Sequence, residues 1–421
     1  MNKQKGGNQM IRMSRRTALG ALAGASAALS LPHVARANTP LKGLSHRQPS
    51  LEFYAKAIST AVPGSPVDMT LIPADKAVEL QTLTLSQGSD AYDILWVNDT
   101  QLMKYAKNGW LQPIDDLWAR YRAEFKLDDY PASVLDSYRY DGKLYAVPSS
   151  VNGMFYFYRQ DLFDAKGYKP PSTFEEWLKI AEGLHSPAMS GAVVNLKRID
   201  AALNEAHYYM NAFGDGWFDA KWKPIFNNDK GVAAIERLKS LTKFAQRAYA
   251  SSANDEAMIA FQQGLGATGL QWFSRAGAMD DAQKSRVGGK IAWAVPPGGK
   301  QRIVVDGFAI SKFSKQDRDL QFRILATAMN ESNQRAIASD SIPSRASVLN
   351  DAELHKKFRH YPAALSAIQA GKAYPALPEF VECGDFITLR IQQALAGEMG
   401  VKQALDTAAR EVSELLTKRG Y

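Results

Sequence analysis

The longest extended segment of the chain constrains the fold more than any other feature. Residues 143–158 read Lys-Leu-Tyr-Ala-Val-Pro-Ser-Ser-Val-Asn-Gly-Met-Phe-Tyr-Phe-Tyr, a composition typical of strands. Pro148 and Gly153 interrupt this segment, and proline cannot donate to a strand ladder. We therefore predict two strands joined by an extended crossing rather than one central strand. A second interrupted segment, residues 291–310, contains Pro-Pro-Gly-Gly. Two such crossings suggest two lobes joined by a hinge.

Strand and helix patterns alternate along the rest of the chain. Strands are predicted at residues 67–72 and 92–97, and only a weak one at 41–46. Helices are predicted at residues 50–61, 75–86, 101–107, 173–183, 201–212, 231–248, 256–263, 316–330, 331–338, 351–369 and 385–418. Alternation of this kind predicts an α/β architecture, with each lobe assembled from separate pieces of chain.

The positive charge of the chain is concentrated at its N-terminus. The chain has 51 basic and 43 acidic residues, and six of the basic residues but none of the acidic ones lie in residues 1–37. The rest of the chain therefore has a net charge of only +2, which gives no reason to expect nucleic-acid binding. A hydrophobic content of 46% and an aromatic content of 10% also exclude a collagen-like or mainly disordered chain.

Residues 1–37 have the pattern of an export signal that is cleaved near Ala37. Met-Ser-Arg-Arg at residues 13–16 precedes an apolar run over 17–31. That run is shorter than the roughly 20 residues that a membrane-spanning helix needs. The paired arginines resemble a twin-arginine signal, but Ala18 and Gly20 depart from its usual pattern and leave the export pathway open. The alternative is an uncleaved membrane anchor. We expect a soluble, monomeric periplasmic protein.

Four stretches of sequence carry a family resemblance when they are taken together and in order. They are residues 92–99 with 105–114, residues 141–148 with 156–163 and 170–177, residues 260–264 with 267 and 271–272, and residues 306–311 with 342–345. The first includes Tyr-Asp-Ile-Leu-Trp-Val-Asn-Asp, and the last includes Asp-Gly-Phe-Ala-Ile-Ser and Ile-Pro-Ser-Arg. As a set they resemble the extracellular solute-binding proteins of ABC importers, in particular the sugar-binding, maltose-binding-protein-like group.

The resemblance implies a two-lobe periplasmic-binding-protein clamshell with discontinuous lobes. The expected pieces are residues 38–148 plus 303–350 for the first lobe, 152–300 plus 355–421 for the second, and 148–153 and 300–306 for the hinge crossings. The implied function is the substrate-binding component of a carbohydrate ABC transporter, which binds a sugar between the lobes and delivers it to separate permease subunits. Such a protein catalyses no reaction and needs no cofactor or metal.

The resemblance also directs attention to residues that could hold a sugar. Aromatic faces stack on the C–H side of a sugar ring, and planar polar groups bind its hydroxyls. The resemblance places a stacking aromatic at Trp272, and the ends of strands and the crossings place polar groups near it. The candidate ligand-binding residues are Trp272, Asp99, Asn152, Asp306, Arg345, His46, Gln48, Trp217, Tyr374 and Glu382.

Other ligands of the same fold stay open at this point. A glycerol phosphodiester would need a cation, which Arg345 or Lys76 could supply. A polyamine would need the carboxylates of Asp99, Asp306 and Glu382. Ferric ion would use paired tyrosines such as those at residues 208–209, although helical spacing favours a core role for them.

A few further motifs bear on enzymatic alternatives. Residues 264–269 satisfy the dinucleotide-binding string Gly-x-Gly-x-x-Gly, but a helix is predicted before them and a strand after them, the reverse of the context that the motif needs. Cys383 is the only cysteine, which excludes an internal disulfide and a cysteine-built metal cluster. The sequence offers no catalytic constellation, so an exported carbohydrate-active enzyme is the less favoured alternative.

Overall fold

The computed structural model describes residues 40–198 and 200–421. The predicted export signal at residues 1–37 lies outside the described residues. Within the described ranges, no helix combines the length and the apolar character needed to cross a membrane.

The strands of the described residues occur along the chain in the following order. They are β1 (Leu41–His46), β2 (Val67–Ile72), β3 (Ile94–Asn98), β4 (Arg139–Tyr140), β5 (Lys143–Leu144), β6 (Ala146–Arg159), β7 (Ser190–Val193), β8 (Gly266–Trp272), β9 (Ile291–Ala294), β10 (Ile303–Ile310) and β11 (Ile342–Pro343).

Helices separate most of these strands, as the sequence predicts for an α/β protein. They are α1 (Pro49–Ser59), α2 (Ala74–Ser86), α3 (Asp99–Lys107), α4 (Asp115–Tyr121), α5 (Ala132–Asp136), α6 (Gln160–Lys166), α7 (Phe174–Leu184), α8 (Asp200–Ala212), α9 (Asp229–Thr242), α10 (Asn254–Gln262), α11 (Ala276–Asp280), α12 (Arg318–Ala328), α13 (Glu331–Ala336), α14 (Ala346–Leu349), α15 (Ala352–Lys357), α16 (Tyr361–Ala370), α17 (Phe380–Leu395) and α18 (Val401–Lys418).

The larger sheet has the strand order β2-β1-β3-β10-β6-β8-β7, with β11 and β9 also paired to β6. The pairs β1–β2, β1–β3 and β7–β8 are parallel, whereas β10 runs antiparallel to both β3 and β6. In this order β10 and β6 lie side by side at the centre of the sheet. They connect β2, β1 and β3 on one side with β8 and β7 on the other.

The expectation of a weak first strand is wrong. The strand β1 pairs with β2 along its whole length, from Leu41 opposite Val67 to His46 opposite Ile72. It also pairs with β3 on its other edge. The sequence of β1 looks weak because Leu41 and Leu44 are its only large apolar residues, and because Gly43 adds no side chain where a Cβ would lie 2.1 Å from the Sδ of Met69.

The expectation that Pro148 and Gly153 divide the longest extended segment is also wrong. The strand β6 runs unbroken from Ala146 to Arg159. Pro148 lies opposite Gly307, next to a shift in register within the β10 pairing, where an irregular ladder tolerates a missing N–H. Gly153 is needed because a Cβ there would lie 2.9 Å from the ring of Phe273. The crossing is therefore a continuous strand.

Two long predicted helices are each divided in the structure. The predicted helix at 385–418 is α17 and α18, and Gly397 between them has a φ of +82°, which favours glycine. The predicted helix at 351–369 is α15 and α16, and Pro362 stands in the first turn of the second. Glycine and proline at these places end one helix and start the next.

Hydrophobic side chains form two clusters, and β6 contributes to both. Val151 and Phe155 belong to the first cluster, which also contains much of β1, β3 and β10. Met154 and Tyr156 belong to the second, which includes residues of α7, α8, α9, α17 and α18. Alternate residues of one strand point to opposite faces, so a single strand can serve two cores. The helix α16, which the predicted bounds assign to the second lobe, packs in the first cluster.

Candidate ligand-binding site

A polar cavity of about 410 Å³, called here the ligand cavity, opens where several strands end. The ends of β1, β3 and β8 contribute side chains to it, and so do β6 and β10 as they cross between the two halves of the sheet. Ligands of open α/β sheets commonly bind outside strand ends of this kind. Its lining includes His46, Gln48, Trp96, Asn152, Asp200, Asn204, Asn254, Trp272, Arg302, Asp306 and Tyr374.

Trp272 is the half-buried aromatic residue at the end of β8. Its indole packs on the second hydrophobic cluster, and its Nε1 donates a hydrogen bond to Oδ1 of Asn254 over 3.0 Å. The Nδ2 of Asn254 donates in turn to Oδ2 of Asp200 over 3.4 Å. This pairing fixes the plane of the indole where it borders the cavity.

Asp306 lines the ligand cavity together with two rings. The Nε1 of Trp96 donates to Oδ1 of Asp306 over 2.9 Å, and the ring of His46 stands edge-on to Trp96 with 4.3 Å between centroids. Burial raises the pKa of Asp306 to about 6, with a further upward contribution from the charge of Asp99 and opposing hydrogen bonds from Trp96 and Gln48. Asp306 is therefore a carboxyl group that changes charge near neutral pH.

His46 is uncharged at the same pH. Burial lowers its pKa to about 4, and the hydrogen bond with the backbone of Arg47 offsets only part of that effect. At neutral pH the imidazole thus presents one donor and one acceptor nitrogen rather than a positive charge.

A buried ion pair closes one end of the ligand cavity. The guanidinium of Arg302 donates two hydrogen bonds of 2.8 Å each to the carboxylate of Asp99. Its central carbon lies 3.7 Å from the centroid of the Tyr374 ring, and the Tyr374 hydroxyl donates to Oδ1 of Asn204 over 2.6 Å. Arg302 is only 3% exposed, so the Asp99 carboxylate is what stabilises its buried charge.

The polar wall continues from this ion pair to the indole. The Nδ2 of Asn204 donates to Oδ1 of Asp200 over 3.0 Å, and Asp200 accepts the hydrogen bond from Asn254 on its other oxygen. An unbroken series of polar contacts therefore links Arg302, through Tyr374 and Asn204, to the residue that holds Trp272 in place.

The structure brings six of the ten candidate residues to the ligand cavity. They are Trp272, Asn152, Asp306, His46, Gln48 and Tyr374. Asp99 lines an adjoining cavity of about 520 Å³, called here the second cavity, and reaches the first through Arg302. Asn152 is held to the loop after β8 by a hydrogen bond from its Nδ2 to the Ser274 hydroxyl over 3.3 Å.

Arg345 lies away from the ligand cavity, in the interior of the protein. Its Nε donates to the carbonyl of Met329 over 2.9 Å, and its two terminal nitrogens donate to the carbonyls of Lys126 and Phe125 over 2.9 and 3.1 Å. The guanidinium also lies over the ring of Tyr130. These contacts use the donors of Arg345 to join loops of the first cluster.

Two other candidates also lie outside the ligand cavity. Trp217 is 2% exposed, and its Nε1 donates to Nδ1 of His207 over 3.1 Å, so it belongs to the second hydrophobic cluster and borders the second cavity. Glu382 is an exposed residue of α17 whose carboxylate pairs with Arg419 over 2.8 Å.

Sequence reasoning missed several residues of the ligand cavity. Asp200 and Asn204 are four residues apart at the start of α8, a spacing that places both on one helical face. Arg302 falls inside the predicted crossing at residues 300–306, and this position alone could have indicated it as a candidate. Trp96 and Asn254 carry no such signal, because their roles depend on partners far away in the sequence.

Several residues considered for a ferric ion or a phosphodiester are engaged elsewhere. The Tyr208 hydroxyl donates to the carbonyl of Pro297 over 2.7 Å, and Tyr209 is fully buried beside it. Lys76 pairs with Glu79 over 2.8 Å. Throughout the described part of the chain, no group of three or more His, Cys, Asp or Glu side chains is placed to hold a metal ion.

Comparison with known proteins places the chain in a family. The family described as bacterial extracellular solute-binding protein matches residues 47–323, well over half of the chain. The chain belongs to this family. The predicted family resemblance is thereby confirmed, and members of this family are binding proteins rather than enzymes.

Relatives and solved structures agree with this assignment. The mannitol-binding protein of Pseudomonas aeruginosa is 24% identical over 372 residues, which cover 81% of this chain and 84% of the relative. A solute-binding protein of Agrobacterium radiobacter, solved with ribitol, has a TM-score of 0.80 at 24% identity and covers 90% of this chain and 99% of its own. One of Agrobacterium vitis, solved with D-mannitol, has a TM-score of 0.77 at 22% identity, with coverages of 91% and 99%. These similarities confirm the predicted two-lobe α/β fold.

Proposed function

We propose that the protein is the periplasmic substrate-binding component of a carbohydrate ABC importer and that it binds a sugar alcohol or a single sugar in the ligand cavity. The observation that carries the proposal is the pairing of one oriented indole, Trp272, with a surrounding set of planar hydrogen-bonding side chains. The names of relatives support it, because two of those described above are associated with mannitol and one with ribitol.

The lining suits the chemistry of a polyhydroxylated ligand. A polyol or sugar presents C–H groups on one side, which pack on an aromatic face, and hydroxyls around its rim. Asp306 accepts hydrogen bonds from hydroxyls, and Asn152 and Gln48 both donate and accept them. A site built from such groups rejects a stereoisomer whose hydroxyl leaves one of them unpaired, since an unpaired buried polar group costs about 1–3 kcal/mol.

The size of the cavity favours a small ligand. A volume of about 410 Å³ lies toward the lower end of the roughly 300–1,000 Å³ that is usual for small-molecule sites. A ligand of one sugar unit fits this volume together with a few bridging waters. We infer that oligosaccharides are not the physiological cargo.

The charges at the cavity argue against a glycerol phosphodiester. The guanidinium of Arg302 is paired with Asp99, and that of Arg275 is paired with Asp255 over 2.7 Å. A phosphate group would have to compete with a carboxylate for each of them. Both arginines therefore serve the site mainly as fixed parts of its wall.

The remaining parts of the proposal concern location and partners. We infer that residues 1–37 direct export and are removed, that the protein works as a monomer in the periplasm, and that it catalyses no reaction. Ligand contacts from both halves of the sheet would favour a closed form, which separate permease subunits then recognise. Trp272, Asp306, Asn152, Gln48, His46 and Tyr374 are the proposed ligand contacts.

Titration calorimetry of the purified protein tests the proposal. The panel contains mannitol, ribitol, glucose and maltose, with glycerophosphocholine, spermidine and ferric citrate as non-sugar ligands. We expect a polyol or single sugar to bind with a dissociation constant in the micromolar range, on the order of −8 kcal/mol. Heat from a non-sugar ligand alone would contradict the sugar assignment and leave the fold untouched.

Matched tryptophan variants then test the site. Trp272→Ala should weaken binding by about tenfold or more, because the ligand loses its packing face, which corresponds to about 1.4 kcal/mol. Trp110→Ala is the control, since Trp110 is also half-buried but packs on the first hydrophobic cluster away from the cavity. Equal affinity in the two variants would show that Trp272 does not contact the ligand.

A further inference from the structure

The ligand cavity and the second cavity meet at a thin wall. Thr100 and Tyr374 line both, whereas Arg302 borders only the first and Asp99 only the second. The wall between them is thus made by the side chains of Arg302 and Tyr374, called here the partition. Each cavity alone is of small-molecule size, at about 410 and 520 Å³.

We propose that the partition sets the size of ligand that the protein accepts: it ends the ligand cavity after one sugar unit and excludes disaccharides. This inference rests on the proposed function and adds to it the residues that determine the substrate class. It makes Arg302 and Tyr374 specificity-determining residues rather than only parts of the cavity wall.

The partition is held too firmly for a ligand to push it aside. Arg302 is almost fully buried and bonded twice to Asp99, so moving it away would leave two buried charges without a partner, which is strongly unfavourable. Tyr374 is held from both sides, by the guanidinium stacked 3.7 Å from its ring centre and by the hydrogen bond from its hydroxyl to Asn204. A second sugar ring would have to break these contacts to enter.

The space beyond the partition has a lining that would receive a second ring if the partition were removed. Phe218 and Trp222 supply aromatic surface there, and Asn211 and Asp215 supply planar polar groups. This is the same combination of side chains that favours a sugar in the ligand cavity. Access, and not unsuitable chemistry, is therefore what keeps a longer ligand out.

The test measures the ratio of the dissociation constant for maltose to that for mannitol. Tyr374→Ala removes the ring and leaves the Arg302–Asp99 ion pair in place, so we expect the ratio to fall by about tenfold or more. Tyr374→Phe is the matched control: it keeps the ring but loses the hydroxyl bond to Asn204. It should keep the ratio within about threefold of the wild-type value even if its affinity for mannitol changes.

A second variant keeps the test decisive if Tyr374→Ala does not fold by circular dichroism. Arg302→Met combined with Asp99→Leu removes both buried charges together, so that neither is left unpaired, and it should lower the ratio in the same way. An unchanged ratio in a folded partition variant would overturn the proposed role of the partition. The same conclusion follows if the wild-type protein binds maltose as tightly as mannitol. In both cases the proposed function stands. Wild-type protein that binds neither mannitol, ribitol nor any sugar overturns both.

Discussion

Replacing Glu205 with glutamine should remove a large pH dependence from the stability of the protein. Glu205 is a fully buried residue of α8, and within the described part of the chain neither of its carboxylate oxygens has a hydrogen-bond partner. Burial raises the pKa of Glu205 to about 8. The polar backbone of Asn195 nearby lowers the pKa and so offsets only part of that effect. The carboxyl group is therefore protonated in the folded protein at neutral pH.

The sign and size of the effect follow from the two pKa values. An exposed glutamate has a pKa of 4.5, so the folded protein holds a proton that the unfolded chain releases as pH rises from 4.5 to about 8. The stability linked to that proton is fully present below pH 4.5 and is lost as pH rises through about 8. At about 1.4 kcal/mol for each pH unit, the loss has an upper limit of about 5 kcal/mol.

Urea unfolding followed by tryptophan fluorescence measures this loss. The Glu205→Gln variant has the shape of the protonated acid but does not titrate, so its free energy of unfolding should exceed that of the wild type by an amount that grows by about 2–5 kcal/mol between about pH 5 and about pH 9. Glu353→Gln, at an exposed residue paired with Lys356, is the control and should show almost no growth. Parallel pH profiles for wild type and Glu205→Gln would refute the reasoning.

Three further predictions use other parts of the structure. Affinity for a polyol should fall as pH drops below about 6, because the ionised form of Asp306 accepts hydroxyl protons more strongly, and calorimetry on Asp306→Asn should find no such fall. Gly191→Ala should destabilise the protein by more than about 2 kcal/mol, since its Cβ would lie 1.8 Å from the carbonyl oxygen of Ala181. Gly400→Ala, whose Cβ meets no described atom within 4 Å, should leave the thermal midpoint nearly unchanged. Cys383, whose pKa burial raises to about 12, should react with a thiol reagent only after unfolding, and fast labelling of native protein would contradict that expectation.

Local patterns predicted most of the helices and the half-exposed strands. The helix α2 and the strand β2 were placed within a residue or two because their periodicity can be read without knowing their partners. The strand β1 was underestimated because only two of its six residues, Leu41 and Leu44, are large and apolar, and its pairing with β2 and β3 depends on partners that a local pattern does not show. The unbroken course of β6 was missed because Pro148 is tolerated by a register shift opposite Gly307, a feature of the partner strand.

The candidate site also contains residues that local patterns predicted and residues whose roles depend on distant partners. Trp272 was proposed because it ends a predicted strand, and Asp306 because it lies in the predicted crossing at residues 300–306; both line the ligand cavity. Arg345 was offered as a ligand contact because it follows a proline in a loop, yet its acceptors are carbonyls of distant segments that no local pattern reveals. The pairing of Arg302 with Asp99 likewise joins parts of the chain far apart in sequence.

The position of β10 between β3 and β6 has a consequence for how the protein is made. Asp306 pairs with Asn98 on one side and with Ser150 on the other, and both partners are synthesised long before it. Until Ile310 has left the ribosome, the inner edges of β3 and β6 have no strand between them, and exposed edges of this kind invite aggregation. Contacts so distant in sequence also form slowly. The central strand can therefore be inserted only after about three quarters of the chain, 310 of its 421 residues, has been translated.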